Sequence, residues 1–291
     1  MRRTLTIAAA MLLLTSAIFA VAVSAHDIGH PAFQNEWDRH DKVVSEGIAT
    51  RSWMWGPDAY TDVLEEDYAE SPGGQRQVQY FDKARMEITY PNTDQDERWY
   101  VSNGLLVVEL ITGELQMGNT EIDPSDPAQV NVAGDPDVGI GPTYASFTDR
   151  LDDTAFDEGD TLNQQLNRDG TVEYQPSFGA YGVTAGSLTD ATEHRIASIF
   201  EEYLARTGPI WVGGTQQVGE VAGVYEVGLP ITEAYWAIVF VGGAEQDVLI
   251  QCFERRCLTY TPGNAPEWQV EMGNVGQHYY RWRYPDTGTP T

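Results

Sequence analysis

Apolar residues run almost unbroken from Leu5 to Val23, and nothing later in the chain repeats that pattern. Arg2 and Arg3 precede the run, and Ser24-Ala25 sets small residues just before the polar His26. A short basic start, an apolar stretch and a V-S-A end are the parts of a secretory signal peptide, cut after Ala25. The run approaches the roughly 20 residues a membrane-spanning helix needs, but its small-residue end and polar sequel favour cleavage over retention as an anchor.

Beyond Ala25 the period changes. Ile196, Ile199, Phe200, Tyr203 and Leu204 recur at helical spacing behind Asp190-Ala191-Thr192-Glu193, which predicts a helix that Thr207-Gly208-Pro209 stops. Phe33 and Trp37 mark a shorter helical segment. Elsewhere the alternation is strand-like: VQYF (78–81), VLIQCF (248–253), WYVSNGLLVVEL (99–110) and HYYRWRY (278–284). As a strand, 278–284 would set Tyr280, Trp282 and Tyr284 on one face and Tyr279, Arg281 and Arg283 on the other.

Several of these stretches come in pairs. QYFDKARM, from Gln79, lies over QCFERRCL, from Gln251, with a shared Q-x-F-acid-base core. Gly56 stands as far before Gln79 as Gly228 does before Gln251. Between them Glu66-Asp67-Tyr68 sits near the spacing of Glu233-Ala234-Tyr235. Further on WYVSNG meets WQVEMG, Trp99 for Trp268 and Gly104 for Gly273. Matched motifs in one order predict two pseudo-repeated modules, each a helix, a connector and two hairpins. The expected layout is a signal peptide over 1–25, a first module over 26–114, an insert over 115–189, a second module over 190–285 and a flexible tail over 286–291. The fold class is α+β, predominantly β, with the modules packed as one body because either alone is small.

The insert is acidic and loop-rich, with Gly and Pro clustered in AGDPDVGIGPTY and a few strands expected, Gly170–Tyr174 among them. Tyr144, Phe147, Leu151 and Phe156 give it something to bury. Acidity extends to the whole chain, with 44 acidic against 17 basic residues and a formal net charge of −27. Such a surface repels phosphate backbones and anionic lipids, so neither nucleic acid nor a membrane surface is an expected partner once the signal is cut.

The two cysteines follow from the hairpin. If Glu254-Arg255 form a two-residue turn, Cys252 faces Cys257 at about 4.5–5.5 Å between Cα atoms, near the short end of disulfide spacing. The matching positions of the first module, Tyr80 and Arg85, differ together. A disulfide is the expected state in a secreted chain, worth roughly 2 kcal/mol for so short a loop.

Catalytic signatures are not written in the chain: it holds no G-x-S-x-G, S-x-x-K, H-E-x-x-H or phosphate-cradling loop. No catalytic residue, metal ligand or cofactor is assigned. His26, the first residue after the cut, could grip copper with His278-Tyr279 but reads as a polar start. Asp135-Pro136-Asp137-Val138-Gly139 and Asn167-Arg168-Asp169-Gly170 resemble pieces of calcium loops and read as turns, because Gln165 and Pro176 would fill ligand places in the second. Among the many aromatic residues, Arg281, Trp282, Arg283 and Tyr284 form the candidate ligand-binding strip.

GLPITEAYW (228–236), VLIQCFERRCLTYTPGN (248–264) and WQVEMGNVG (268–276) resemble a repeated module of secreted bacterial proteins. That module runs roughly F-G-x-P-I-T-E, V-Q-Y-F-E-R-x-R-x-E and V-x-x-G-x-x-G, and is distantly similar to the L-G-x-P repeats of cell-wall-associated proteins. The first module keeps Gly56-Pro57, VQYFDKARMEI and Asn103-Gly104 but lacks P-I-T-E. The resemblance implies an extracellular, non-catalytic envelope module and brings no catalytic residue with it. The expected function is a secreted cell-envelope or extracellular module with cell-wall polysaccharide as its partner; the alternative is a secreted glycan-acting hydrolase.

Overall fold

A computed structural model of the chain describes residues 26–136 and 138–287. The predicted signal segment, Asp137 and residues 288–291 lie outside the described residues. No helix among the described residues is long and apolar enough to cross a membrane.

Helix α1 (Pro31–Trp37) comes first, with Pro31 at a position that needs no N–H and His30 Nδ1 accepting from Ala32 N–H at 3.1 Å. It buries Phe33. Strands β1 (Leu64–Asp67), β2 (Gln75–Tyr80) and β3 (Arg85–Ile88) form an antiparallel sheet in that order. Helix α2 (Leu106–Thr112) follows. The predicted insert supplies β4 (Gln164–Leu166) and β5 (Val172–Tyr174). Then come α3 (Ser198–Leu204), β6 (Tyr235–Val241), β7 (Ala244–Cys252), β8 (Cys257–Tyr260), β9 (Val270–Met272) and α4 (Val275–Arg283). The second sheet has six strands in the order β9-β8-β7-β6-β4-β5, parallel only where β6 meets β4. The architecture is mixed α+β with more strand than helix.

Two cores sit on the two faces of the larger sheet. Trp236 and Leu249 face a core that also holds Phe33, Trp55, Phe81, Phe200 and Phe253. Tyr235, Ala237, Val239 and Ile250 face the other, with Tyr80, Leu106, Leu110, Tyr144, Phe147 and Tyr279. Both faces of β6 are therefore covered over Tyr235–Ala237, within its apolar run YWAIVFV, while Val241 at its end is exposed. Each core draws residues from both ends of the chain, and the insert is ordered into the second through Tyr144 and Phe147.

Three sequence expectations are corrected. Most of the apolar part of WYVSNGLLVVEL and of HYYRWRY is helical, in α2 and α4. The buried residues are Leu106, Val107, Glu109, Leu110 and Ile111 in one, and Val275, Gly276, Tyr279 and Tyr280 in the other. That spacing is a helix stripe that the local strand-like alternation hides. Each helix start finds an acceptor on the far hairpin: Val107 N–H donates to the Glu254 carbonyl at 3.2 Å, and Gln277 N–H to the Asp82 carbonyl at 3.2 Å. Residues 190–193 begin no helix. They turn a hairpin, with Glu193 at φ 60, between strands Ala185–Thr189 and His194–Ala197, so Ile196 is extended and α3 starts only at Ser198. Lastly, Tyr235 pairs with Ile250 as Leu64 pairs with Val78, so Leu64, not Tyr68, occupies the matching place in the sheet.

Candidate functional site

The two hairpins β2–β3 and β7–β8 are held by the same contacts. Gln79 Nε2 donates to the carbonyls of Asp27 (2.9 Å) and Thr61 (2.8 Å), while its Oε1 accepts from Gly29 N–H (3.1 Å). Gln251 Nε2 donates to the carbonyls of Arg195 (2.6 Å) and Thr232 (3.0 Å), and its Oε1 accepts from Ala197 N–H (3.0 Å). Both glutamines are fully buried. Next to each, a threonine hydroxyl accepts from the following backbone N–H: Thr61 from Tyr80 and Thr232 from Cys252, both at 3.2 Å. Beyond each threonine a carboxylate meets a histidine, Asp62 with His26 at 3.0 Å and Glu233 with His194 at 3.2 Å. Thr61-Asp62 thus stands where Thr232-Glu233 of P-I-T-E stands. It lies 18 residues before its glutamine and the other 19, a one-residue offset that concealed it in the sequence.

Each hairpin turn also carries a cation into a cleft floored by the other hairpin's strand. Lys83 N–H donates to the Trp55 carbonyl (2.9 Å) and Arg255 N–H to the Val227 carbonyl (3.0 Å), which fixes the backbone of both turns. Arg255 reaches a cleft of about 460 Å³ lined by Arg76, Glu87, Thr89, Ser102 and Gly104, with Tyr68, Tyr90, Trp99 and Tyr100 as its aromatic residues. Lys83 reaches a cleft of about 410 Å³ lined by Val248, Thr259, Thr261, Glu271, Gly273 and Asn274, with Asp135 and His278 also on its wall. Both volumes suit a small-molecule or sugar-sized ligand.

Their chemistry differs. In the Lys83 cleft the ammonium is already engaged with the Met272 carbonyl and Asn274 Oδ1, both at 2.8 Å. Burial lowers its pKa, against the pull of nearby Glu271 and Asp82. Burial also pulls the His278 imidazole down to about 3, helped by Arg281 and Lys83, so it stays neutral while Nδ1 meets the Tyr144 hydroxyl at 2.9 Å. In the Arg255 cleft Trp99 is 54% exposed and Tyr90 44%. The guanidinium of Arg255 lies 5.2 Å from the centre of the Trp99 ring. Arg76, 4% exposed, stacks 4.4 Å over Tyr68 and pairs with Glu87 at 3.0 Å. Although burial pushes Glu87 upward, Arg76 and Arg85 hold its carboxyl below the ordinary range.

The predicted strip of Arg281, Trp282, Arg283 and Tyr284 is not a strand face, since the first three end helix α4 and Tyr284 follows it. Arg281 is exposed. Trp282 Nε1 donates to the Asp126 carbonyl at 2.9 Å. Arg283 and the Tyr284 hydroxyl turn inward to Glu66, at 3.5 and 2.9 Å. There they join a buried network in which Glu66 also accepts from Arg85 (3.0 Å) and Tyr80 (2.5 Å). Cys252 and Cys257 are paired across the hairpin and disulfide-bonded, with Cα atoms 4.0 Å apart. Tyr80 and Arg85 face each other in the matching register. Of the two loops weighed for calcium, Asp169 accepts from its own loop at Thr171, as a turn residue does. The Arg76–Trp99–Arg255 cleft went unnoticed in the sequence because its residues come from three separate segments.

Comparison with known proteins adds no relative. No protein-family model, no curated protein and no solved structure matches the chain.

Proposed function

We propose that the chain is a secreted, non-catalytic module of the cell envelope that binds polysaccharide, built from two pseudo-repeated units. The observation that carries the reading is the pair of sugar-sized clefts, each floored by one hairpin's strands and receiving a cation from the other's turn. The matching glutamine clamps, threonines and His–carboxylate pairs support the internal repeat and, with it, the resemblance to repeated modules of secreted bacterial proteins. The exposed Trp99 and Trp268 rings add aromatic faces of the kind that lie against sugar rings. The test is retention of the protein from His26 onward on cell-wall and polysaccharide preparations. Binding to at least one, weakened by Trp99→Ala, is expected; no retention on any sinks the reading.

A glycan-acting hydrolase has one observation in its favour: Asp135 and Glu271 both line the Lys83 cleft. Two carboxylates flanking one cleft are what glycoside hydrolysis uses. Release of reducing ends from a retained polymer, lost in Glu271→Gln, would replace the binding reading with this one.

A further inference from the structure

We propose that the Arg255 cleft is selective for sugars bearing a carboxylate, such as uronic acid residues of an acidic polysaccharide. The inference rests on the polysaccharide-binding reading and names its ligand class.

The charge balance points to an anion. The chain is strongly acidic overall, with a net charge of −27, yet this cleft holds two guanidinium groups, those of Arg76 and Arg255. Its one carboxylate, Glu87, is already bound to Arg76 and Arg85. Arg76 is the buried member. Only Nη1 makes a hydrogen bond, to Glu87, while Nε and Nη2 have no hydrogen-bond partner; the nearest charge to Nη2 is Glu66 at 3.6 Å. A buried arginine with unmatched N–H groups gains from an oxygen acceptor, and a planar carboxylate fits a guanidinium best. Arg255 is the rim member: Nη1 is held by the carbonyls of Val224 and Tyr225, and Nε has no partner.

Aromatic groups supply the rest of a sugar site. Trp99 and Tyr90 offer exposed ring surface on the same cleft as the two arginines, so a sugar ring could lie on an aromatic face while its carboxylate meets a cation. The Lys83 cleft is the internal contrast. Val248 stands there where Arg76 stands here, Glu271 where Ser102 stands, and Lys83 is engaged by Met272 and Asn274. It lacks guanidinium groups with unmatched N–H donors of the kind that would favour an anion.

The experiment compares one backbone with and without its charge: calorimetric titration of the protein from His26 onward with oligogalacturonate and with the same oligomer as its methyl ester. The acid is expected to bind about tenfold more tightly or better, with an affinity that falls as salt rises. Arg255→Gln should remove about tenfold of the acid affinity and leave the ester within about twofold. Trp99→Ala, which removes the exposed ring face, should weaken both. Arg206→Ala, an exposed arginine that lines neither cleft, should change neither. Equal binding of acid and ester would overturn the inference and leave the binding reading standing. So would retention on neutral or phosphate-bearing polymers with no affinity for the acid, or an equal loss in Arg206→Ala. Retention on no polymer at all would overturn both.

Discussion

At the scale of single residues, two buried amides clamp the chain's two hairpins to segments outside them. Gln79 and Gln251 each satisfy three backbone groups from segments distant in sequence. Leucine at either position would leave those groups without partners, at about 1–3 kcal/mol each. Gln79→Leu and Gln251→Leu should therefore each lose roughly 3 kcal/mol or more in urea unfolding, by similar amounts. A large loss at one and none at the other would break the equivalence of the two clamps. His278 and His194 carry opposite pH dependences. His278 is held neutral far below the ordinary histidine value, so between about pH 6.5 and 3 the unfolded chain takes up a proton that the folded chain refuses. Its contribution is present above pH 6.5 and is lost as pH falls. His194 runs the other way: burial lowers its pKa, but the hydrogen bonds to Glu233 and to the Leu151 carbonyl raise it overall. Its contribution is present below about pH 6.5 and is lost as pH rises through the raised value. Melting scans at pH 7.0 and 5.5 should show a smaller acid-side drop in His278→Gln, whose amide can still accept from Tyr144. An unchanged drop would exclude His278 as its source.

At the scale of elements, helix docking on the opposite hairpin is the feature most sensitive to a single atom. Gly276 brings α4 so close to the first hairpin that a Cβ there would lie 2.0 Å from the Phe81 carbonyl oxygen and 2.4 Å from that of Ala84. Both are backbone atoms with little room to yield. Gly276→Ala should cost about 3 kcal/mol through displacement of α4, measured as a lower denaturation midpoint and a change in tyrosine near-UV signal. Wild-type stability in this variant would mean that the helix sits further out. The two hairpins show how the same register tolerates different chemistry. Cys252 and Cys257 are covalently joined, whereas Tyr80 and Arg85 are tied by a 3.2 Å hydrogen bond within the Glu66 network. The facing of the cysteines was legible from the turn alone, since a two-residue turn leaves only one pairing. The helical state of 106–112 and 275–283 was not, because aromatic and β-branched residues favour strands locally and the deciding partners, Glu254 and Asp82, lie in the other half of the chain.

At the scale of the molecule, neither half has a core of its own. One core joins Phe33, Trp55 and Phe81 to Phe200, Trp236 and Phe253, and the other joins Tyr80 and Leu106 to Ile250 and Tyr279. The predicted insert adds two strands to the larger sheet. Unfolding should therefore be a single cooperative transition, with calorimetric and van't Hoff enthalpies equal, and residues 26–114 alone should show no cooperative melt. Two resolved transitions, or a stable isolated first half, would contradict the shared cores.

Read alone, the sequence determined what depends on neighbours along the chain: the hairpin turns, the cysteine pairing, the strands of 78–80 and 248–252, the surplus of acid and the recurrence of Q-x-F. Only the tertiary structure decided what depends on residues far apart. It turned two aromatic strand-like stretches into helices, began α3 late because Gln251 holds Arg195–Ala197 extended, and exposed Thr61-Asp62 as the counterpart of Thr232-Glu233. It also assembled a cationic, aromatic cleft from Arg76, Trp99 and Arg255 in an acidic chain. The physical reason is common to all four. Local pattern records which groups a residue could satisfy, but burial and hydrogen bonding are settled by whichever distant segment arrives to satisfy them.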